Sequence, residues 1–134
     1  KVIVSDMPWG KIGMTICYDL RFPSLYKKLA KKGVDFFSVP AAFTFTTGRA
    51  HWHTLIRARA IENGCFVFAP AQCGIHDNGR KTYGHSMIVN PWGKILVEAK
   101  DSKKKIISTE INIDEIIECR QKIPSMTDFN PYTK

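Results

Sequence analysis

The sequence predicts an α/β fold, and two observations carry the prediction. In the first half of the chain, short apolar runs alternate with amphipathic helical patterns, the signature of strands with crossover helices. After them come apolar runs separated by turn signals, the signature of antiparallel hairpins. A third observation marks a site: an apolar, partly β-branched run over residues 11–16 stops abruptly at Cys17, where polar residues, a proline and a helical pattern follow.

In chain order, residues 1–5 read as a short strand and Met7-Pro8-Trp9-Gly10 as a turn. Residues 11–16 are a strand ending at the bend. Residues 24–32 are a helix: Leu25, Tyr26, Leu29 and Ala30 share one face, Lys27, Lys28, Lys31 and Lys32 the other, and Gly33 stops it. Residues 34–39 are a buried-type strand ended by Pro40. A Thr- and Phe-rich loop over 43–48 leads into a long helix that starts at Gly48 or Arg49 and runs to about Asn63. Gly64 closes it, and Trp52, Leu55, Ile56, Ala60 and Ile61 form its apolar stripe. Residues 65–71 are another strand, and Asp77-Asn78-Gly79 is a turn. Strands over 83–89 and 94–99 are joined by Asn90-Pro91-Trp92-Gly93, and residues 106–111 are the last strand. Asp114 caps a short helix to Gln121, stopped near Pro124. One domain over 1–123 and an apolar-poor tail over 124–134 are expected, the tail either crossing to a neighbouring subunit or disordered.

A strand that turns into a helix at a single cysteine presents the thiol at a sharp bend. This is the geometry of a nucleophile elbow with sulfur in place of serine. A helix N-terminus beyond the bend carries partial positive charge, which favours thiolate over thiol. The backbone N–H of Tyr18 is then free to point at an oxyanion beside the sulfur. The alternative is a buried, inert cysteine at a strand end. Strand ends along one edge of an open α/β sheet form a pocket rim, so the loop after residue 39 supplies the expected substrate contacts, Ala42, Phe43 and Thr44.

Composition narrows the function classes. A chain of 134 residues with 44% hydrophobic content makes one domain with a real core. The formal charge of +8 owes much to Lys27, Lys28, Lys31, Lys32 and Lys103 to Lys105. A nucleic-acid surface interleaves basic residues with stacking aromatics. Here one cluster is the polar side of a helix and the other a hairpin loop, so no nucleic-acid partner is expected. Cys17, Cys65, Cys73 and Cys119 are scattered without a Cys-x-x-Cys pair, which argues against a disulfide framework and for a reducing, cytoplasmic location. No apolar run is long enough to span a membrane. The chain opens at Lys1 without a methionine, as a fragment or a processed product does.

His51 and His53, two apart on a helix, share no face, and His76 and His85 fall in different loops without a carboxylate at ligand spacing. No metal is expected, and His51 and His85 are read as pinning loops around the pocket. Arg59 and Glu62, three apart, read as an intrahelical ion pair. Arg21 and Asp19 read as a pair beside the bend.

Cys17-Tyr18-Asp19-Leu20-Arg21-Phe22-Pro23 resembles the catalytic cysteine motif of the nitrilase superfamily, the carbon–nitrogen hydrolases. Four later stretches agree with it in order: Pro40-Ala41-Ala42-Phe43-Thr44, Ala50-His51-Trp52, Arg57-Ala58-Arg59-Ala60-Ile61-Glu62-Asn63, and Tyr83-Gly84-His85-Ser86 running into Asn90-Pro91-Trp92-Gly93. Together they cover roughly residues 9–123. Gln72-Cys73-Gly74 and Tyr83-Gly84-His85-Ser86-Met87 are most similar to the branch of deaminated-glutathione amidase and the omega-amidases.

The resemblance implies a four-layer αββα sandwich, of which this chain supplies the second half: one sheet with two helices on its outer face. It implies a thiol amidase that opens a small, carboxylate-bearing linear amide through a Cys17 thioester. No cofactor is implied, and a homo-oligomer, a dimer through elements around the helix after the bend, is. The family's catalytic unit also holds a glutamate base and a lysine, both many residues before the cysteine. Sixteen residues precede Cys17 here, none of them a glutamate, and Lys1 and Lys11 lie in the wrong context. The chain alone is therefore expected to be inactive, the alternative role being a binding or assembly module. Ser24 stands where relatives usually carry glutamate after Phe-Pro, and His53 where many carry glutamate after His-Trp. Both departures bear on substrate choice more than on fold.

Overall fold

The computed structural model describes residues 1–100 and 104–125. Strands β1 (Ile3–Met7) and β2 (Gly10–Met14) make an antiparallel hairpin around Pro8-Trp9. Helix α1 (Pro23–Ala30) connects β2 to the parallel β3 (Phe36–Ser38), and α2 (Phe45–Asn63) connects β3 to the parallel β4 (Phe66–Ala69). Strands β7 (Met87–Val89) and β8 (Ile95–Glu98) add antiparallel, giving a six-stranded sheet in the order β1-β2-β3-β4-β7-β8. A separate hairpin, β5 (Cys73–Ile75) with β6 (Lys81–Tyr83), leaves the sheet between β4 and β7. The last element, α3 (Asp114–Lys122), follows a stretch without regular structure.

Side chains alternate across a pleated strand, so each register row faces one layer. Gly13, Phe37, Val67 and Val89 stand in register on neighbouring strands. This row packs against Tyr26 and Leu29 of α1 and Trp52, Ile56 and Ala60 of α2. Burying each large side chain there stabilises the fold by about 1.5–3 kcal/mol. A Cβ at Gly13 would stand 3.2 Å from Leu29, Val34 and Phe37, so glycine lets α1 lie close on the sheet. Ile12, Phe36 and Phe66 form the row on the opposite face. There Phe36 stacks on Phe66 and Phe68, and Ile116 of α3 covers the cluster. Arg120 fastens α3 by donating to the Val34 carbonyl at 2.7 Å and to Asp35 at 3.3 Å.

The expected α/β layer with both helices on one sheet face is the one observed, and several boundaries differ. Helix α2 begins at Phe45, so most of the expected 43–48 loop is its first turn. Its stripe exchanges Ile61, which is exposed, for Arg59, which is buried. The expected strand over 83–89 divides into β6 and β7. Gly84 and His85 separate them at φ of +76° and +61°, conformations no strand accepts. Residues 106–111 are not a strand. They cross the second sheet face instead of pairing with an edge, and Ile111 packs near the Phe36 cluster. Asp114 is the first residue of α3 rather than its cap, and Asn112 Oδ1 accepts its N–H at 3.0 Å. The expected tail falls almost entirely outside the described residues, as does Lys103.

Candidate active site

The bend at Cys17 is built from both sides. Thr15 prolongs the β2–β3 ladder: its N–H donates to the Ser38 carbonyl at 3.0 Å and its hydroxyl to the same oxygen at 2.8 Å. The Cys17 N–H then donates to the Pro40 carbonyl at 2.8 Å, and Cys17 itself turns to φ +45°. A non-glycine residue in this region stores strain, which is characteristic of functional positions. The chain leaves through a single 3₁₀ turn over Cys17–Arg21, and α1 starts only at Pro23. The helix expected over 24–32 is thus α1, and the 3₁₀ turn separates its N-terminus from the cysteine. Tyr18 holds the second position of that turn, where an N–H has no partner within the turn itself.

Charged groups brace the turn. Asp19 accepts the Ile16 N–H at 2.9 Å. Arg21 does not take Asp19 as its partner, because that carboxylate is engaged at the start of the turn. It lies instead 3.2 Å from His51 Nδ1, with its guanidinium 5.1 Å from the Phe43 ring centre and 5.6 Å from that of Tyr18. Arg59 pairs with Glu62 at 2.9 Å, as its spacing indicated.

Cys17 lines a cleft of about 470 Å³ at the C-terminal ends of β2, β3 and β4, with Pro40, Ala42, Pro70, Gln72 and Ser86 among its other walls. This is the edge at which open α/β sheets bind ligands. Of the expected contacts, Ala42 lines the cleft. Phe43 does not line it but is buried with its ring centre 5.0 Å from that of Trp52, and the Thr44 hydroxyl bonds Thr47 at 2.8 Å at the start of α2. Gln72 and Ser86 are wall residues that sequence reasoning missed, although both lie inside stretches that carried the resemblance. A second cleft of about 550 Å³ shares Ala71, Gln72 and Ser86 with the first and adds His76, His85, Lys104 and Lys105.

The other thiols differ from Cys17 in kind. Burial pushes Cys65 up to about 12, and its S–H donates to the Val34 carbonyl at 3.1 Å. Burial also raises Cys119. Cys73 is half-buried in the neighbouring cleft.

No carboxylate sits at ligand spacing to the histidines along the sequence, but the fold brings one to two of them. Glu98 Oε1 lies 2.8 Å from His53 Nε2 and 2.6 Å from His85 Nδ1, and these three are the only candidate metal-ligating cluster among the described residues. Both nitrogens stand within hydrogen-bonding distance of one oxygen. Coordination would require all three lone pairs to converge on an ion about 2.0–2.2 Å from each.

A deaminated glutathione amidase of Synechocystis sp. is 51% identical over 118 residues, which cover 88% of this chain and 43% of that protein. A deaminated glutathione amidase of Dictyostelium discoideum is 49% identical over 123 residues, covering 92% of this chain and 42% of that protein. The crystal structure of Saccharomyces cerevisiae Nit3, a member of branch 10 of the nitrilase superfamily, superposes with a TM-score of 0.86 at 37% identity, covering all of this chain and 46% of that one. The chain therefore spans less than half the length of these relatives. No helix among the described residues is long and apolar enough to cross a membrane. Residues 1–121 match the family described as carbon-nitrogen hydrolase, and with the fold in agreement, the chain belongs to the carbon–nitrogen hydrolases of the nitrilase superfamily.

Proposed function

We propose that this chain supplies the nucleophile of a thiol amidase acting on a small, linear, carboxylate-bearing amide of the deaminated-glutathione type. The observation that carries the reading is Cys17, held at φ +45° in the floor of a cleft at the strand ends. In this reading the Cys17 thiolate attacks the amide carbon and the Tyr18 N–H donates a hydrogen bond to the oxyanion. The C–N bond then breaks, the nitrogen takes a proton and leaves as ammonia, and water opens the thioester to the carboxylate. Ala42 contacts the substrate from the cleft wall, with Phe43 and Thr44 supporting the same loop. The family resemblance assigns proton transfer to a glutamate and further oxyanion stabilisation to a lysine, both upstream of the cysteine.

A second reading, a binding or assembly module without turnover, has its own support: no charged side chain lines the Cys17 cleft among the described residues. A positioned acid–base group is worth ~10²–10⁴ in rate, and none lines the cleft beside the sulfur among the described residues. Both readings are tested together by assaying 2-oxo-glutaramate-type amides with the chain alone and with the chain co-expressed with the N-terminal half of a close relative. Turnover is expected only in the second case, and Cys17→Ala abolishes it. Absence of turnover in both leaves the module reading. Cys17-dependent turnover by the chain alone would show that a residue within it acts as the base. Self-association is part of the proposal, and a monodisperse monomer in sedimentation at micromolar concentration would remove it.

A further inference from the structure

A carboxylate and two imidazoles meet beside the Cys17 cleft and have no part in the chemistry above. Glu98 Oε1 lies 2.6 Å from His85 Nδ1 and 2.8 Å from His53 Nε2. Burial alone would push the Glu98 carboxyl up. Hydrogen bonds from His85 and His53, with their charge, outweigh that and hold it below the usual carboxylate range. An ionised carboxylate only accepts, so each of the two nitrogens carries its proton toward Glu98. A glutamate at position 53 would bring a second negative charge here, whereas the imidazole brings a donor.

His85 is the other non-glycine residue besides Cys17 at positive φ among the described residues, at +61°. Its contacts there include the bond to Glu98, a ring stack on Tyr83 with centres 4.1 Å apart, an edge-on contact with the His53 ring at 5.3 Å, and the Trp52 Nε1–H donated to the His85 carbonyl at 2.8 Å. The next residue is Ser86. Its Oγ accepts the Ala71 N–H at 2.8 Å and donates to the Ala71 carbonyl at 3.2 Å, while its own carbonyl accepts the Ala99 N–H at 2.9 Å. Ser86 and Ala71 both line the Cys17 cleft. The torsion at residue 85 therefore sets where Ser86 points, and a return to ordinary negative φ would carry the hydroxyl away from Ala71.

We infer that Glu98 is a positioning residue: by holding His85 in the left-handed conformation it seats Ser86 against Ala71 and fixes one wall of the Cys17 cleft. Its importance for turnover rests on the amidase reading, but the arrangement itself does not. Neutral and protonated imidazoles both donate, so the hold needs only an ionised Glu98. It also imposes the Nδ1–H tautomer on neutral His85, the minor form of imidazole in water.

The test is imidazole ¹⁵N spectroscopy with amide hydrogen exchange on the chain, its Glu98→Ala and Glu98→Gln variants, and Ser86→Ala. The wild type is expected to show His85 as Nδ1–H. Glu98→Ala is expected to release that tautomer and speed exchange at the Ala71 amide by about tenfold relative to Val67 in the sheet core. Glu98→Gln, whose amide oxygen still accepts, is expected to keep most of the protection. Ser86→Ala should speed Ala71 exchange while leaving the His85 tautomer unchanged, which keeps the inference testable if Glu98→Ala does not fold. An Nε2–H tautomer at His85 in the wild type would overturn it. So would Ala71 exchange that moves no more than Val67 in Glu98→Ala, or stoichiometric zinc binding that displaces both imidazole protons. A failure of the amide assay would leave these outcomes as they stand, so the two proposals fail separately.

Discussion

Arg59 reaches from the C-terminal part of α2 to the Leu20 carbonyl and donates to it twice, from Nε at 3.1 Å and from Nη2 at 2.9 Å. Leu20 belongs to the turn that carries Cys17, and both residues are buried. The guanidinium also lies 5.4 Å from the centre of the Tyr26 ring. Removing it leaves a buried carbonyl without a donor. Arg59→Ala is expected to cost about 3 kcal/mol, because hydrogen bonds from a charged donor are the strong ones and an orphaned acceptor adds its desolvation cost. Urea unfolding measures it, and an unchanged midpoint would contradict the bracing role.

Cys17 is expected to be alkylated ahead of Cys65 and Cys119. Both of the latter are buried, and burial keeps them protonated, whereas Cys17 opens onto a cleft. Limiting iodoacetamide followed by peptide mapping checks the order. Early label on Cys65 or Cys119 would refute it.

Alkaline pH is expected to loosen the core. Burial raises Tyr26 from 10.0 and Cys65 from 9.0, each to about 12. Both groups favour the protonated form when folded. Their contribution is therefore fully present below pH 9.0, the lower of the two starting values, and is lost as pH rises towards about 12. Chemical denaturation at stepped pH reads the decline, and Cys65→Ala should flatten its lower part.

Gly48 reverses a general rule. Within an exposed helix, Gly→Ala stabilises by about 1 kcal/mol. Here a Cβ at Gly48 would overlap Cβ and Cγ of Tyr83, because β6 lies directly on α2. Gly48→Ala is expected to destabilise by about 1–3 kcal/mol through overpacking, read as a lower melting temperature. A stabilised variant would show that Tyr83 moves aside freely.

The bend at Cys17 was legible because its cause is local: an apolar run, one cysteine, then residues that cannot continue a strand. The strand edge that hosts the cleft followed from the alternation of elements. Other features depend on partners far along the chain. The break at Gly84-His85 interrupts a pattern that reads as continuous strand, and it is held by Trp52, 33 residues away, and Glu98, 13 away. The meeting of His53 with Glu98 spans 45 residues, a distance at which spacing says nothing. Residues 106–111 have strand composition, but composition does not provide a neighbouring edge. Arg21 and Asp19 were paired on proximity, whereas the turn geometry gave Asp19 a backbone donor first.

The left-handed backbone at Cys17 sets heat tolerance against reactivity at one residue. Glycine would occupy that conformation freely, and relief of such strain is worth on the order of 1–3 kcal/mol, against the modest packing that a small, partly buried side chain supplies. A library of this chain sorted for thermal endurance alone would therefore drift toward glycine at position 17. The sturdier molecules it returned would have discarded their sulfur, so any engineering of this scaffold has to select for the thiol and for endurance together.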